Sequence, residues 1–263
     1  MTAADRHDDI LRIVELRERV SVGELTERLD VSEVTIRKDL ALLEERGKLV
    51  RTRGGARASQ DRTRIHPIDA RLTSLPRAKE QIAAAAAGLI REGETIFLDS
   101  GSTCLALARA IVDRDLRVVT NSLDALEVLA AAPHIALHAT GGGFRQDARS
   151  FIGPAAVESI RRFHFDRAFL GSSGVTDEGV FSTQNAIEGE VKRAAIAQAQ
   201  RVVVLVDSSK IGSAAFSIFA RPEDVAMVIV ERGEKAESLR RITAFEVVTP
   251  GIDQQRKEEK EHV

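Results

Sequence analysis

Residues 32 to 56 read SEVTIRKDLALLEERGKLVRTRGGA, a helical pattern with basic residues on one side, followed by a short basic hairpin. Val34, Ile36, Leu40 and Leu43 recur at helical spacing and predict one apolar face, which leaves Thr35, Arg37 and Lys38 pointing outward. Ser32 is placed to cap that helix. Gly47 ends it, and Leu49 and Val50 read as a short strand. Arg51 and Arg53 then alternate with Thr52 before Gly54-Gly55 turns the chain, which is the pattern of a wing. Paired glycines permit the positive backbone angles of a tight hairpin and a close backbone approach to phosphates. Upstream, Ile10, Ile13, Val14 and Leu16 mark a first helix. Ser21 caps a second that carries Val22, Leu25 and Leu29, and only Asp30 and Val31 separate it from the third. Three helices with a tight second turn spell helix-turn-helix.

The charge is divided to match. Residues 1 to 33 hold five Lys/Arg and nine Asp/Glu, whereas residues 34 to 57 hold seven Lys/Arg and three acids. The positive charge therefore sits on the helix and hairpin that would meet duplex DNA, and the expected contacts are Ser32, Thr35, Arg37, Lys38, Arg51, Arg53, Gly54 and Gly55. The net charge of the whole chain, −2, hides this segregation.

The chain has 263 residues, 43% of them hydrophobic and 30% charged, which is room for two domains of ordinary globular composition. Its single cysteine, Cys104, excludes an internal disulfide. Six histidines are scattered without ligand spacing, so no metal or other cofactor is expected. The polar start MTAADRHDD carries neither a signal peptide nor a spanning segment. A cytoplasmic protein with no membrane partner is the expectation.

Residues 1–57 form the expected reading domain, and residues 58–75, polar and without periodicity, read as a linker. Pro76 opens an Ala-rich helix with Ile82, Ala86, Leu89 and Ile90 as its buried stripe, closed by Gly93. From there to residue 249, short apolar strands (96–99, 118–121, 135–140, 168–171, 202–207 and 226–231) mostly alternate with helical patterns (105–111, 123–131, 155–162 and 188–199). That alternation predicts an α/β domain with a mainly parallel sheet covered on both faces. The tail, residues 250–263, is charged and is expected to be disordered.

Nearly every one of these strands runs into small polar residues: DSGST (99–103), TNS (120–122), TGGG (140–143), GSSG (171–174) and DSSK (207–210). In open α/β sheets a ligand crevice lies beyond the carboxyl ends of the strands, so these loops are expected to converge. Asp99, Ser100, Gly101, Ser102 and Thr103 sit between a strand and a helix, where free N–H groups, hydroxyls and the helix dipole suit a phosphate. Lys192 and Lys210 supply compensating charge. Asn121, Ser122, Gly142, Gly143, Gly171, Ser172, Ser173, Gly174, Glu188 and Asp207 complete the expected site. Asp99 and Asp207 also read as helix caps, and Glu188 as a first-turn acid paired with Lys192 at i,i+4.

The run at 32–56, continued by DSGST, VTNS, TGG, FLGSSG, EGEVKRA and DSSK in order over residues 6 to 231, resembles the DeoR family of bacterial transcriptional regulators. The resemblance implies a winged helix-turn-helix joined to a sugar-phosphate-sensing domain resembling ribose-phosphate isomerases, usually acting as a repressor of carbohydrate genes. It also favours Asn121 as a ligand contact. The chain departs from the family pattern at Cys104, Gly189 and Ile211, which bears on which sugar is recognised. The leading expectation is a repressor of carbohydrate-utilisation genes whose partners are operator DNA and a phosphorylated sugar. Pairing on two half-sites makes it a homo-oligomer, dimer or tetramer. The alternative is a sugar-phosphate isomerase or deaminase carrying a DNA-binding module, with Glu188 or Asp99 as base and Lys192 or Lys210 as electrostatic support. A third reading is a constitutive DNA-binding protein whose second domain only oligomerises.

Overall fold

Helical periodicity in the first sixty residues becomes three helices, Ala3–Arg17, Val22–Leu29 and Glu33–Glu45, in a computed structural model that describes residues 3–17, 19–45, 49–58, 71 and 74–250. The chain divides into two compact units, Met1–Asp61 and Arg62–Val263. The expected linker (58–75) and tail (250–263) lie almost wholly outside the described residues, as do Arg46, Gly47 and Lys48.

In the first unit Ser21 closes a capping box, its Oγ accepting from the Glu24 amide at 3.1 Å while its own amide donates to the Glu24 carboxylate at 3.0 Å. Asp30, in the left-handed region at φ 52°, turns the chain directly into the third helix. Ile10, Val14, Leu25, Ile36, Leu40, Leu43 and Leu49 are all at most 2% exposed and form the core. Val34 departs from the expected apolar face, being 64% exposed. Two helical positions span about 200° of rotation, so Val34 and Ile36 cannot share a face.

Leu49–Thr52 and Gly55–Ala58 form the hairpin. A strand absent from the sequence reading, Arg19–Ser21, adds to Gly55–Ala58 to make an antiparallel three-stranded sheet. Thr52 pairs with Gly55, so the turn residues are Arg53-Gly54 rather than the expected Gly54-Gly55. Gly54 supplies the positive φ, 84°. Gly55 is there for a different reason: a Cβ on it would stand 2.0 Å from the Val20 carbonyl oxygen of the added strand.

The second unit is built on a seven-stranded sheet, parallel throughout. Its spatial order is Glu246–Val248, Met227–Ile229, Ala199–Leu205, Phe165–Gly171, Thr95–Leu98, Leu116–Thr120 and Ile135–Ala139. One apolar cluster, including Phe97, Phe165, Phe181 and Val204, and a second, including Ile82, Ile96, Leu107 and Phe169, bury the alternate side chains of the central strands. The helix Pro76–Ala87 stops at Gly88, five residues before the expected Gly93, which instead turns the chain before the first strand at φ 79°. A hairpin, Gly143–Arg145 with Ser150–Ile152, and a small antiparallel sheet, Gly174–Val175, Phe181–Thr183 and Ser217–Ala220, are inserted among the crossovers.

Winding reverses at the first strand. From Thr95–Leu98 the chain steps outward twice on one side, then crosses to Phe165–Gly171 on the other and steps outward three more times. Strands that leave a shared line in opposite directions open a crevice at their carboxyl ends. Here the two strand ends at that line carry Asp99 and Gly171, joined by a hydrogen bond from the Gly171 amide to Asp99.

Candidate functional site

On the first unit, Ser32 caps the third helix as expected, its Oγ accepting from the Thr35 amide at 3.3 Å and sharing a hydrogen bond with the Thr35 hydroxyl at 2.9 Å. Arg37 and Lys38 are exposed beside Val34. Arg37 pairs with Glu33 at 3.1 Å, both side chains more than half exposed. A pair that open to water is worth little and exchanges readily for a phosphate or a base edge. Glu44 accepts from the Arg51 amide at 2.9 Å and so pins the hairpin to the end of the helix. Arg53 stands at the exposed tip. The outward surface is thus a helix face of Val34, Arg37 and Lys38 beside a wing carrying Arg51 and Arg53.

Beneath this surface Asp39 is buried and accepts from Arg6 Nε at 2.6 Å and from His7 at 2.9 Å. Burial pushes its carboxyl up, but the hydrogen bonds from Arg6 and His7 and their charges outweigh that and hold it below the usual aspartate value.

In the second unit the crevice holds a charged cluster drawn from four parts of the chain. Asp99, wholly buried at the end of the first strand, accepts from the Gly171 amide at 3.0 Å and from Lys192 through the same oxygen, Oδ2. Its other oxygen, Oδ1, is buried without a hydrogen-bond partner. Lys192, on the helix Ala186–Gln198, also donates to the Gly171 carbonyl at 3.0 Å and faces Glu188, one turn earlier, at 3.5 Å. Burial draws the Lys192 ammonium down, and Asp99 and Glu188 more than reverse this, so it stays charged. Burial pushes the Asp99 carboxyl up against the pull of Lys192. Glu188 is held in turn by Arg145 at 2.7 Å, and Arg145 forks onto Asp147 at 2.7 and 3.0 Å. Arg145 and Asp147 had no local signal in the sequence; they reach the cluster only because the inserted hairpin folds back onto the helix at 186–198.

Beside this cluster the helix Ser102–Ala110 begins at Gly101, whose φ of 114° directs the chain sharply into the first turn. The first helical bond runs from the Leu105 amide to the Gly101 carbonyl at 2.9 Å, so the amides of Ser102, Thr103 and Cys104 precede the helical ladder. Two hydroxyls and the positive end of the helix dipole accompany these amides, an arrangement whose chemistry suits an anion. Ser102 and Thr103 are 9% and 8% exposed. Burial pushes the Cys104 thiol well up, so it carries no thiolate chemistry.

The remaining expected residues divide. Asn121 is buried, its Nδ2 donating to the Phe151 carbonyl at 3.4 Å and its Oδ1 without a partner. Ser122 is a helix cap, accepting from the Ala125 amide at 3.2 Å. Gly142 is needed for packing, since a Cβ there would stand 2.7 Å from the Ile152 carbonyl oxygen, and Gly143 begins the inserted hairpin. Gly171 joins the cluster, whereas the Ser172 hydroxyl donates to the Gly174 and Ser182 carbonyls at 2.8 and 3.0 Å. Ser173 and Gly174 lead into the small antiparallel sheet. Asp207 caps a short turn, accepting from the Ser209 amide at 3.1 Å. Lys210 lies in that turn, and among the described residues it forms no ion pair with the cluster.

One further cation comes from a segment the sequence reading assigned to the linker. The guanidinium of Arg71 reaches Gly101, with Nη1 4.0 Å from where a Cβ would stand, and its Nε is buried without a partner. Burial draws its guanidinium down from the usual arginine value, with Glu188, Asp147 and Asp99 opposing this and Arg145 adding to it.

The chain matches the DeoR-like helix-turn-helix domain over residues 6–62 and the DeoR C terminal sensor domain over residues 75–232. It is similar to the transcriptional repressor AccR of Agrobacterium fabrum, 35% identical over 88% of this chain and 90% of that protein. It is 32% identical to the HTH-type transcriptional repressor GlcR of Bacillus subtilis, over 73% of this chain and 74% of that one. It is 34% identical to the lactose phosphotransferase system repressor of Staphylococcus epidermidis, over 90% and 98%. Among solved structures, ribose 5-phosphate isomerase A from Methanocaldococcus jannaschii aligns at a TM-score of 0.40 with 20% identity, covering 52% of this chain and 55% of that one, a likeness that says nothing of activity.

Proposed function

The chain belongs to the DeoR family of bacterial transcriptional regulators and is a DNA-binding regulator, and from that premise we propose that it represses carbohydrate-utilisation genes until a phosphorylated sugar binds its second unit. Thr35, Arg37 and Lys38 read operator DNA in the major groove, and Arg51, Arg53 and the Gly54 turn hold the phosphate backbone. The sugar's phosphate sits on the loop Ser100–Thr103, with Asn121, Lys192 and Glu188 about it.

A single observation carries this reading. At the point where the sheet reverses its winding, a helix N-terminus lies beside a buried Lys192–Asp99 pair and unpartnered acceptors on Asp99 and Asn121. Free amides suit a phosphate and orphaned acceptors suit hydroxyl donors, so the crevice matches an anion that carries hydroxyls. The names of the similar proteins, repressors in each of the three cases, favour control over turnover.

A regulator of this kind works in the cytoplasm, and no helix of the described residues is long and apolar enough to cross a membrane. It binds as a dimer or tetramer, because helix-turn-helix proteins meet paired half-sites. The site holds its ligand without converting it. Thermal unfolding of the full chain against a panel of pentose, hexose and amino-sugar phosphates tests the proposal, since a ligand of the folded state raises Tm by mass action. A phosphorylated sugar that raises Tm and weakens operator binding is the expected result. Appearance of a product in the same mixtures would establish the enzyme instead.

A further inference from the structure

Arg145 and Lys192 make the close contacts with the three carboxylates of the crevice. Arg145 takes Asp147 and one oxygen of Glu188, and Lys192 takes Asp99 and lies 3.5 Å from the other oxygen of Glu188. Arg71 is the third cation beside these three carboxylates and is in ion-pair contact with none of them. It forms no ion pair among the described residues, and its Nε is buried with nothing to donate to. A buried donor without an acceptor, as at Arg71 Nε, costs free energy unless a group absent from the free protein completes it.

Its position says which kind of group. The guanidinium lies over Gly101, at the N-terminus of the nine-residue helix Ser102–Ala110, and a Cβ on Gly101 would enter the space against Nη1 at 4.0 Å. The backbone of Arg71 is fixed independently of its side chain, since buried Lys79 donates to the carbonyls of both Arg71 and Ser74. On the same loop Asp99 is wholly buried and its Oδ1 has no donor. The helix amides and the guanidinium are donors for a ligand placed here, and Asp99 Oδ1 on the same loop is an acceptor. A planar fork of N–H groups facing a helix N-terminus suits the oxygens of a phosphate monoester, held from two directions.

We propose that Arg71 is a ligand-binding residue of the crevice, closing its guanidinium over Gly101 onto the phosphate of a phosphorylated, hydroxyl-bearing small molecule seated at Ser102–Cys104. This rests on the reading of the crevice as an anion site and adds to it a contact from outside the strand-end loops. Arg71 belongs to the second unit, near its start at Arg62.

Inorganic phosphate is the probe, with chloride at matched ionic strength as the control. Phenylglyoxal labels accessible arginines, and peptide mass spectrometry of the full chain reads each one separately. Phosphate is expected to slow labelling of Arg71 severalfold and to leave Arg162, whose side chain is 74% exposed, unchanged. In thermal unfolding, Arg71→Met is expected to raise the half-saturating phosphate concentration about tenfold, with Arg71→Lys in between, because lysine keeps the charge and loses the fork. If phosphate raises the Tm of the wild type but neither protects Arg71 nor distinguishes Arg71→Met, the proposal is overturned and the anion site stands. If phosphate leaves the wild-type Tm unchanged, the anion site falls and the proposal with it. Should Arg71→Met not fold, labelling of the wild type decides alone.

Discussion

Lys192 and Asp99, ninety-three residues apart in the chain, form an ion pair whose side chains are 2% and 0% exposed. Two charges so far from water are stable only while each has the other, and this makes the pair both the floor of the crevice and its most sensitive point.

Lys192→Met strands a buried carboxylate next to Glu188 and is expected to cost about 3–5 kcal/mol. Combining it with Asp99→Leu should recover much of that loss, because no unpaired charge remains. Urea denaturation of the single and double variants measures both, and a double variant no more stable than the single one would mean that the pair is not what holds the strand ends together.

In the reading helix, Arg37→Ala is expected to weaken operator binding by about 1–3 kcal/mol and to relax sequence preference, the mark of a base-edge contact. Loss of Arg51 or Arg53 should instead weaken operator and random duplexes alike and flatten the salt dependence. Binding titrations at several salt concentrations separate the two behaviours.

Gly55→Ala places a methyl group 2.0 Å from the Val20 carbonyl oxygen and must displace a strand. A loss of about 3 kcal/mol, or failure of the first unit to fold, is expected. Gly54→Ala has open space around it and only its φ of 84° to contend with, so about 1–2 kcal/mol is expected. Hydrogen exchange at the Ile36 and Leu40 amides reports the first unit within the full chain.

Ser102→Asp puts a carboxylate where the phosphate is proposed to sit. Like-charge repulsion should abolish the response to a phosphorylated sugar while operator affinity without the sugar is unchanged. Release of DNA by this variant at the wild-type sugar concentration would move the phosphate elsewhere.

The Asp39 carboxyl is held below the usual aspartate value in the folded protein, so the unfolded chain takes up its proton first. Its contribution is therefore complete above the ordinary aspartate range, near pH 4, and is lost as pH falls toward the depressed value. Asp39→Asn should remove this acid sensitivity of the first unit, again read by exchange at Ile36 and Leu40.

Local pattern made the third helix, its Ser32 cap and the parallel strands legible, because spacing and capping chemistry act within a few residues. Val34 was misread because counting apolar residues ignores the angle between them. The strands Arg19–Ser21 and Glu246–Val248, three residues each, are too short for periodicity and form only because an edge is waiting for them. The crevice was legible only in part. Asp99, Ser102 and Lys192 lie in small polar runs or beside a helix start, whereas Arg145 and Arg71 acquire their roles from partners dozens of residues away. Ser122, Ser172 and Asp207 hold local backbone in the structure, and capping a turn and binding a ligand call for the same side chains.

The ninety-three-residue separation of Asp99 and Lys192 also imposes an order on biosynthesis. At about 5–20 residues per second, the ribosome delivers the lysine roughly 5 to 20 seconds after the aspartate. Until then the carboxylate must stay hydrated or hold a proton, so the end of the first strand cannot be sealed while its neighbours are forming. The residues of the helix-turn-helix and its wing have all been made by that time. Every newly made chain therefore passes through a stage in which the reader is complete and its control is not, and translational pausing between residues 99 and 192 would prolong it.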